Sequence, residues 1–421
     1  WNAPIIVTTA VQFFETLGSN NPARLRKLHE LPGSGIFVDE SHAAIPTWLW
    51  PQVWLWFQKL TNEWGCHLVL ASGTTAKFWE IEDFINHQER IPELIPEELR
   101  KRSNMYEQKR VKLKTSFIVS DTNNNKPLTF NQTDELIEFI ISKKGPRIVI
   151  MNTVFSAAYI ANRMKSKGLD VMHLSTALTP KDREPVIDEV YKRLERDKST
   201  NRLTYQQNWT LVATSCAEAG LNFSFRNGFA ELRSIQSFLQ IDGRVNRNGE
   251  YRDSEMWCFI INDPELKTHP GFKTSQKIFK QFIEGDLLNK LNITELVTET
   301  IKRELKDDSD EKVELILKHE RNHEYPEVAD ICKIIASDTR LVVIEPNIIC
   351  MLENGEKVSP IQLIKNSVQI WFSKKAELVL QPIKGHAELY RWFEDGYDPE
   401  FLGYMKAILK PELMKMKELI V

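Results

Sequence analysis

The sequence contains few cysteines, and none of them forms a close pair. The five positions are Cys66, Cys216, Cys258, Cys332 and Cys350. Zinc ribbons and disulfide frameworks need even numbers of cysteines at short, regular spacings. A chain without such spacings is typical of a reducing compartment. The cysteine pattern therefore argues against both kinds of cross-link and predicts a cytoplasmic protein.

The sequence also lacks a hydrophobic run long enough to cross a membrane. Its most apolar stretch, Ile45 to Phe57, is interrupted by Pro46, Pro51 and Gln52 and falls short of the ~20 residues of a membrane helix. The chain starts at Trp1 without an initiator methionine or a signal peptide. We expect no membrane association, and we expect the chain to continue upstream in a longer parent.

A strong excess of one charge is missing as well. The formal net charge is -3 over 421 residues, whereas proteins that coat nucleic acids are usually strongly basic. Hydrophobic residues make up 42% and charged residues 27%, which is typical of globular proteins. The length predicts two or three domains.

Short apolar runs alternate with amphipathic helical stretches, which predicts parallel sheets covered by helices. The runs form two groups, Ile5–Val7, Ile36–Val38 and Leu68–Leu70 first, then Ile148–Met151, Val171–Leu174, Leu211–Ala213 and Met256–Ile261. A charge-rich passage over 86–126 reads as helix plus linker. After about Gly285 charged helical segments follow, with a possible strand at Arg340–Glu345 and a helix near Ile361–Phe372. The predicted domains are 1–100, a linker at 101–127, 128–285, and an accessory domain at 286–421.

Two acids, Asp39 and Glu40, end the first apolar run of Gly35 to Val38. Ligands bind at the carboxyl edge of parallel sheets. There Asp39 would hold the Mg²⁺ that accompanies a nucleotide, and Glu40 would orient the attacking water. The alternative is a solvated strand end, because loops commonly contain acids.

A second apolar strand, His67 to Leu70, leads into Ser72, Gly73 and Thr74. Two small hydroxyl residues around a glycine suit an element that couples one part of a site to another. The alternative is an ordinary strand-to-helix turn in which Thr74 or Thr75 caps the helix.

Two arginines follow in the second group, where a helical stretch beginning near Arg233 contains Arg244 and Arg247. Residues three apart lie on one face of a helix. Their guanidinium groups can therefore meet a polyphosphate and neutralise charge in phosphoryl transfer, and Gly243 permits a close approach. The alternative is a solvated surface that pairs with nearby acids.

Taken in order, four segments resemble motifs II, III, V and VI of DExH-type helicases. They are Asp39–His42, Ser72–Thr74, Thr214–Asn222 and Gln240–Arg247. More specifically, Ala3–Leu17, Arg24–His29 and the Gly-Arg-Val-Asn-Arg ending resemble the helicase portion of the CRISPR-associated helicase-nuclease of type I systems. The resemblance covers about Ala3 to Ile261.

That family implies two RecA-like parallel-sheet domains, the first truncated at its N-terminus in this chain, followed by a smaller, mainly helical domain. It implies ATP and Mg²⁺ in the cleft between the RecA-like domains and 3′-to-5′ movement along single-stranded DNA. It also implies recruitment to a guide-RNA surveillance complex (Cascade) and degradation of the strand by an HD nuclease. A divalent transition metal belongs only to that nuclease.

The resemblance also implies roles for individual residues. Those that bind ATP are Asp39, Glu40, Gly220, Asn222, Gln240, Gly243, Arg244 and Arg247. Those that couple hydrolysis to movement are Ser72, Gly73 and Thr74. Those along the DNA path are Thr8, Thr9 and Thr214.

The sequence departs from the family in three ways. Ser41 stands where the family often has alanine, and neither a G-x-x-x-x-G-K-[ST] loop nor an HD nuclease domain occurs. That loop carries the amides and the lysine that hold the β- and γ-phosphates. We therefore expect the loop and the nuclease upstream of Trp1 or on a partner chain, and this chain alone to be a poor ATPase.

Two functions of other classes compete with the helicase. His319, Glu320 and His323 match H-E-x-x-H, whose helical spacing suits a zinc metallopeptidase. A helicase-shaped module that binds DNA or protein without turnover is the other alternative, and the missing phosphate loop favours it. The tryptophans at 48, 50, 54 and 56 suit base stacking, but we expect them to pack a helix against the first sheet.

Overall fold

A computed structural model of the chain describes residues 3–41, 45–73, 76–81, 91–118, 125–218, 220–266, 270–308, 310–333, 339–371 and 380–409. Helices and strands alternate through most of these residues, so the α/β fold class is confirmed. None of the helices in these ranges is long and apolar enough to span a membrane.

The helices of the first half are α1 (Ala10–Leu17), α2 (Pro22–Leu25), α3 (Trp50–Asn62), α4 (Glu97–Arg110), α5 (Thr133–Ser142), α6 (Val154–Ser166) and α7 (Pro180–Leu194). Those of the second half are α8 (Ile235–Asp242), α9 (Lys273–Glu284), α10 (Leu287–Lys290), α11 (Ile293–Asp308), α12 (Asp310–Arg321), α13 (Tyr325–Ile331), α14 (Pro346–Glu353), α15 (Pro360–Lys365) and α16 (Met405–Ile408).

The strands up to residue 213 are β1 (Gly35–Val38), β2 (His67–Leu70), β3 (Lys112–Lys114), β4 (Ser116–Ile118), β5 (Asn125–Phe130), β6 (Arg147–Ile150), β7 (Val171–Leu174) and β8 (Thr210–Ala213). The later strands are β9 (Asn227–Glu231), β10 (Glu255–Ile261), β11 (Thr339–Val343), β12 (Ser367–Trp371), β13 (Gln381–Ile383) and β14 (His386–Arg391).

Contacts divide the chain into two compact units that interleave along the sequence. The first unit contains residues 1–101, 234–236 and 273–336, and the second contains 102–233, 237–272 and 337–421. The helices α9 to α13 therefore group with the N-terminal residues. The domain limits predicted from the sequence stay predictions.

The first unit contains a parallel pair of strands covered by an aromatic helix. β1 pairs with β2 from Gly35 opposite His67 to Val38 opposite Leu70. In α3, Trp50, Trp54 and Trp56 are buried, and the ring of Trp50 stacks on Phe78 at 3.7 Å between centroids. The expectation that these tryptophans pack rather than stack on bases is confirmed.

The apolar residues Ile5 to Val7 form no strand in the structure. Ile5 is 82% exposed and Val7 93% exposed. A strand needs a neighbour for its backbone groups, and the described residues provide none beside this segment. The prediction of a first strand at this position is wrong.

The second unit is built on a large sheet that follows the predicted pattern. Its strands lie in the order β4, β5, β10, β9, β6, β8, β7, and β3 also pairs with β10. All pairs are parallel except that between β4 and β5. The strands predicted in the second group correspond to β6, β7, β8 and β10. Buried residues of α5 and α6 pack with those of the sheet in one core.

A smaller sheet, ordered β12, β11, β14, β13, completes the second unit. It confirms the strand expected at Arg340–Glu345 and corrects the helix expected near Ile361–Phe372. The helix α15 ends at Lys365, and β12 pairs antiparallel with β11. Val368 and Ile370 of β12 are buried, because alternate residues of a strand face the core.

Candidate nucleotide and nucleic-acid sites

The acid pair lies at the carboxyl end of β1, as predicted. Asp39 and Glu40 are both exposed, and Glu40 has a left-handed backbone with a φ of 47°. The backbone N–H of Glu40 donates to Asp39 Oδ1 at 3.0 Å. This turn ends the strand, and both carboxylates lie in solvent at the carboxyl end of the parallel strands, where ligands bind.

The end of β2 contacts the acid pair directly. Ser72 Oγ donates to Glu40 Oε2 at 3.2 Å, and Ser41 N donates to the carbonyl of Ala71 at 3.2 Å. The structure thus brings together two segments that are 32 residues apart in sequence. Gly73 follows and is exposed, while Thr74 lies outside the described residues.

The two threonines predicted on the DNA path lie in front of α1. Thr9 caps this helix by accepting from Gln12 N at 3.1 Å, and Thr8 Oγ1 donates to Gln12 Oε1 at 2.6 Å. Such caps satisfy backbone groups that the helix leaves unpaired. Both threonines are exposed.

In the second unit, the loop after β8 contains the motif Thr214–Asn222. Thr214 is buried, and its hydroxyl donates to Cys216 Sγ at 3.5 Å. Gly220 has a φ of 76°, which favours glycine. Asn222 is exposed, and its backbone N–H donates to Tyr191 Oη at 3.0 Å.

The two arginines do not share a helical face, because α8 ends at Asp242. The next residues form a turn in which Val245 N donates to the carbonyl of Asp242 at 2.9 Å. We call residues 243–249, which include Gly243, Arg244 and Arg247, the arginine loop. The expectation of a continuous helix through both arginines is wrong. Gln240 remains within α8 and is half-buried.

Glu218 joins the loop after β8 to the arginine loop. Arg244 donates to the backbone carbonyl of Glu218 from Nε at 3.1 Å and from Nη2 at 2.9 Å. The buried Glu218 carboxylate accepts from Ser237 Oγ at 3.0 Å and lies 3.7 Å from Arg233 Nη1. Burial raises the pKa of Glu218 above its ordinary value. Arg244 therefore connects the motif Gln240–Arg247 to the motif Thr214–Asn222.

Arg247 differs from Arg244 in its surroundings. It is exposed, and its guanidinium makes no hydrogen bond or ion pair with the part of the chain that the structure describes. Of the two arginines, Arg247 is therefore the one whose five N–H donors are available to an anionic ligand.

The H-E-x-x-H segment is not arranged as a zinc site. The helix α12 ends at Arg321, and His323 lies beyond it with a φ of 62°. His319 pairs with Glu324, and Glu320 accepts from Gln52. No group of three or more His, Cys, Asp or Glu residues in the described ranges could hold a metal ion. The two histidines therefore do not share the helical face that the metallopeptidase alternative requires.

Comparisons with known proteins agree with the motif pattern. Residues 143–250 match the family model described as CRISPR-associated nuclease/helicase Cas3, C-terminal. A comparison with curated protein sequences found no match.

Solved structures resemble the chain over most of its length. The Cas3–AMPPNP complex of T. fusca has a TM-score of 0.56 and 14% identity, covering 90% of this chain and 53% of that chain. The T. fusca Cas3–ATP complex has a TM-score of 0.55 at 15% identity, with the same coverage. A CRISPR RNA-guided surveillance complex, pre-nicking, has a TM-score of 0.55 and 13% identity, covering 92% and 58%.

The chain thus spans about half the length of the structures that it matches. At these identities the likeness shows the fold alone, while the family model matches the sequence of residues 143–250, which contain β6 to β9. The resemblance inferred from the motifs is confirmed. The fold of the chain is similar to that of Cas3, and residues 143–250 match the C-terminal family model of the CRISPR-associated nuclease/helicase Cas3.

Proposed function

We propose that the chain is the motor portion of a Cas3-type helicase that hydrolyses ATP to move along single-stranded DNA. The hydrogen bond between Ser72 and Glu40 carries this proposal. It joins the ends of two parallel strands at a sheet edge and fixes an exposed acid pair there. A hydrolytic site needs its acids fixed but accessible, and a solvated strand end would not need this link.

In this proposal the substrate is the Mg²⁺ complex of ATP. Asp39 Oδ1 accepts from the backbone of Glu40, and its other carboxylate oxygen suits Mg²⁺, which prefers oxygen ligands and takes few of them from the protein. Glu40 accepts a proton from the water whose oxygen attacks the γ-phosphorus. The bond from that phosphorus to the bridging oxygen breaks, and ADP and phosphate leave.

Positive charge for the same reaction is proposed to come from Arg247. Arg247 stabilises the charge on the transferred phosphoryl group, because its guanidinium is exposed and has no partner among the described residues. Arg244 holds the loop after β8 in place through the carbonyl of Glu218. Gln240 lies in α8, whereas Gly220 and Asn222 lie in the loop after β8. All three are proposed as nucleotide contacts.

DNA contacts are proposed for Thr8, Thr9 and Thr214, whose hydroxyls would bind phosphates without reading bases. By likeness to Cas3, the chain acts on DNA opened by a guide-RNA surveillance complex. An HD nuclease, on the same gene product or on a partner, then degrades the displaced strand. Translocation from 3′ to 5′ belongs to this proposal.

ATP hydrolysis with and without single-stranded DNA tests the proposal. The sequence has no phosphate-binding loop, so the assay uses the complete gene product. We expect DNA to stimulate hydrolysis, and Glu40→Gln to lower kcat by about 10²-fold or more, as loss of a general base does. Glu63→Gln, an exposed acid beyond α3, is the matched control.

Two results would overturn the proposal. If the complete protein binds DNA without hydrolysing ATP, it is a binding module. If Glu40→Gln hydrolyses ATP as fast as Glu63→Gln, the acid pair does not carry the reaction.

A further inference from the structure

Arg110, the last residue of α4, lies outside every motif, yet its side chain is only 2% exposed. The guanidinium donates to the backbone carbonyl of Asp242 from Nη1 at 3.4 Å and from Nη2 at 3.3 Å, and it also donates to the carbonyl of Val245. The last carbonyls of a helix lack partners within it. Arg110 therefore caps the end of α8 and also binds a backbone carbonyl of the arginine loop.

Two acids neutralise the buried guanidinium. Arg110 Nη2 lies 2.7 Å from Glu107 Oε2 in its own helix and 3.5 Å from Asp242 Oδ2 at the end of α8. A buried charge is costly unless it is paired and hydrogen-bonded. Moving the arginine loop away would leave the guanidinium with Glu107 alone and remove its bonds to the carbonyls of Asp242 and Val245.

Asn246, in the arginine loop, makes a second connection to α4. It is 1% exposed, and its Nδ2 donates to the carbonyls of Arg110 and Tyr251, both at 2.8 Å. Its Oδ1 accepts from Tyr251 N at 2.8 Å. A φ of 47° at Asn246 turns the chain sharply immediately before Arg247. The side chain amide is thus fully used in holding the turn.

A third contact joins α4 to the arginine loop at Gly249. This residue has a φ of 69°, and a Cβ built on it would lie 2.5 Å from Tyr106 Oη. The hydroxyl of Tyr106 therefore lies close to Gly249, whose left-handed backbone favours glycine. Arg247, exposed, lies between the two residues that α4 fixes.

We propose that Arg110 is a positioning residue for ATP hydrolysis, which holds the arginine loop so that Arg247 meets the phosphates. This inference rests on the proposed function, because it assigns Arg110 a part in the same reaction. A displacement of about 1 Å in a catalytic group costs up to about 10²-fold in rate. Loss of the connection should therefore lower kcat and leave the KM for ATP within about twofold.

The test uses the complete gene product with Arg110→Lys and Arg110→Met, and Lys109→Met as the matched control. Lys109 is the preceding residue of α4 and is exposed. Lysine keeps the charge but carries it on a compact ammonium group instead of a planar fork. Hydrogen exchange of residues 243–250 reports on the loop, and DNA-stimulated hydrolysis reports on its use. Thermal unfolding shows whether each variant is folded.

We expect faster exchange at residues 243–250 and a kcat lowered by about 10-fold to 10²-fold in both Arg110 variants, with neither change in Lys109→Met. Where Arg110→Met is unfolded, Arg110→Lys decides alone. Unchanged exchange, or a KM that rises with kcat unchanged, overturns the inference. A parent protein without ATPase activity refutes the proposed function instead, and exchange then still shows whether Arg110 holds the loop.

Discussion

At the scale of single residues, exposure separates two arginines that the sequence treats alike. Arg244 is bound to the carbonyl of Glu218, whereas Arg247 is exposed. The sequence identified both positions, because the spacing of the motif is local. It could not distinguish them, because the carbonyl that holds Arg244 lies 26 residues earlier in the chain.

Asp39 and Glu40 were predicted correctly as a pair at a strand end, and their exposure follows from the turn at Glu40. Glu218 was missed as a linking residue. The only signal was an acid among small residues, in the segment from Thr214 to Asn222. Its burial depends on α8, which cannot be placed from local sequence.

Glu231, at the end of β9, leads to a prediction about pH. Burial raises its pKa to about 7, although its carboxylate accepts from Asn152 N at 2.8 Å. Between its unfolded pKa near 4.5 and about 7, the folded state binds the proton and the unfolded state does not. Its contribution to the free energy of unfolding therefore falls as pH rises through this window.

We expect the midpoint of thermal unfolding to fall between pH 5 and pH 7, and Glu231→Gln to reduce this fall because glutamine stays neutral. Glu184→Gln, an exposed acid, should leave it unchanged. Asp242, whose pKa burial also raises to about 7, keeps part of the pH dependence in every variant. If the midpoint of thermal unfolding falls equally in Glu231→Gln and in the unsubstituted protein, the prediction is contradicted.

At the scale of elements, strands with continuous apolar runs were predicted well and helix ends were not. β6 and β8 are buried along their whole lengths, so their runs are visible in the sequence. The end of α8 depends on Arg110, which is 132 residues away from Asp242. β9 contains Asn227 and Gly228 and was missed, because its sequence is not a continuous apolar run.

Gly228 provides a test of how tightly β9 is packed. A Cβ at this position would lie 2.4 Å from Val245 Cγ2 and 2.6 Å from Met256 Sδ. Gly228→Ala should therefore overpack the core and lower the free energy of unfolding by about 1–3 kcal/mol. Gly35→Ala, in β1, meets no atom within 4 Å and serves as the control.

Chemical denaturation of the two glycine variants measures the difference. Because Val245 belongs to the arginine loop, Gly228→Ala should also accelerate hydrogen exchange at residues 243–250. Equal unfolding free energies for Gly228→Ala and Gly35→Ala would show that the sheet accommodates the added methyl group, and would contradict this prediction.

At the scale of the whole molecule, the chain resembles part of a larger known architecture. It matches Cas3 structures over nine-tenths of its own length and about half of theirs. The alternation of apolar runs with helical stretches predicted the α/β class, and the order of four motifs predicted the resemblance to the helicase family. The sequence did not predict that residues 273–336 group with the N-terminal residues. That grouping depends on long-range contacts, such as that of Gln52 with Glu320 at 3.1 Å.

Connectivity also gives α4 a particular place in the molecule. The chain passes from the first unit to the second within this helix, between Lys101 and Arg102, and the helix ends at Arg110. The charge-rich stretch 86–126, predicted as helix plus linker, therefore includes Arg110, which caps α8. Local sequence predicts the helix but not the role of its last residue.

The central claim is that the chain is an ATP-driven motor in which Arg247 acts on the transition state. The most direct measurement is steady-state, DNA-stimulated ATP hydrolysis by the complete gene product with Arg247→Ala, beside the exposed control Arg252→Ala. We expect Arg247→Ala to lower kcat by about 10³-fold, as loss of an arginine finger does, with the KM for ATP nearly unchanged. A raised KM with kcat intact would contradict the account.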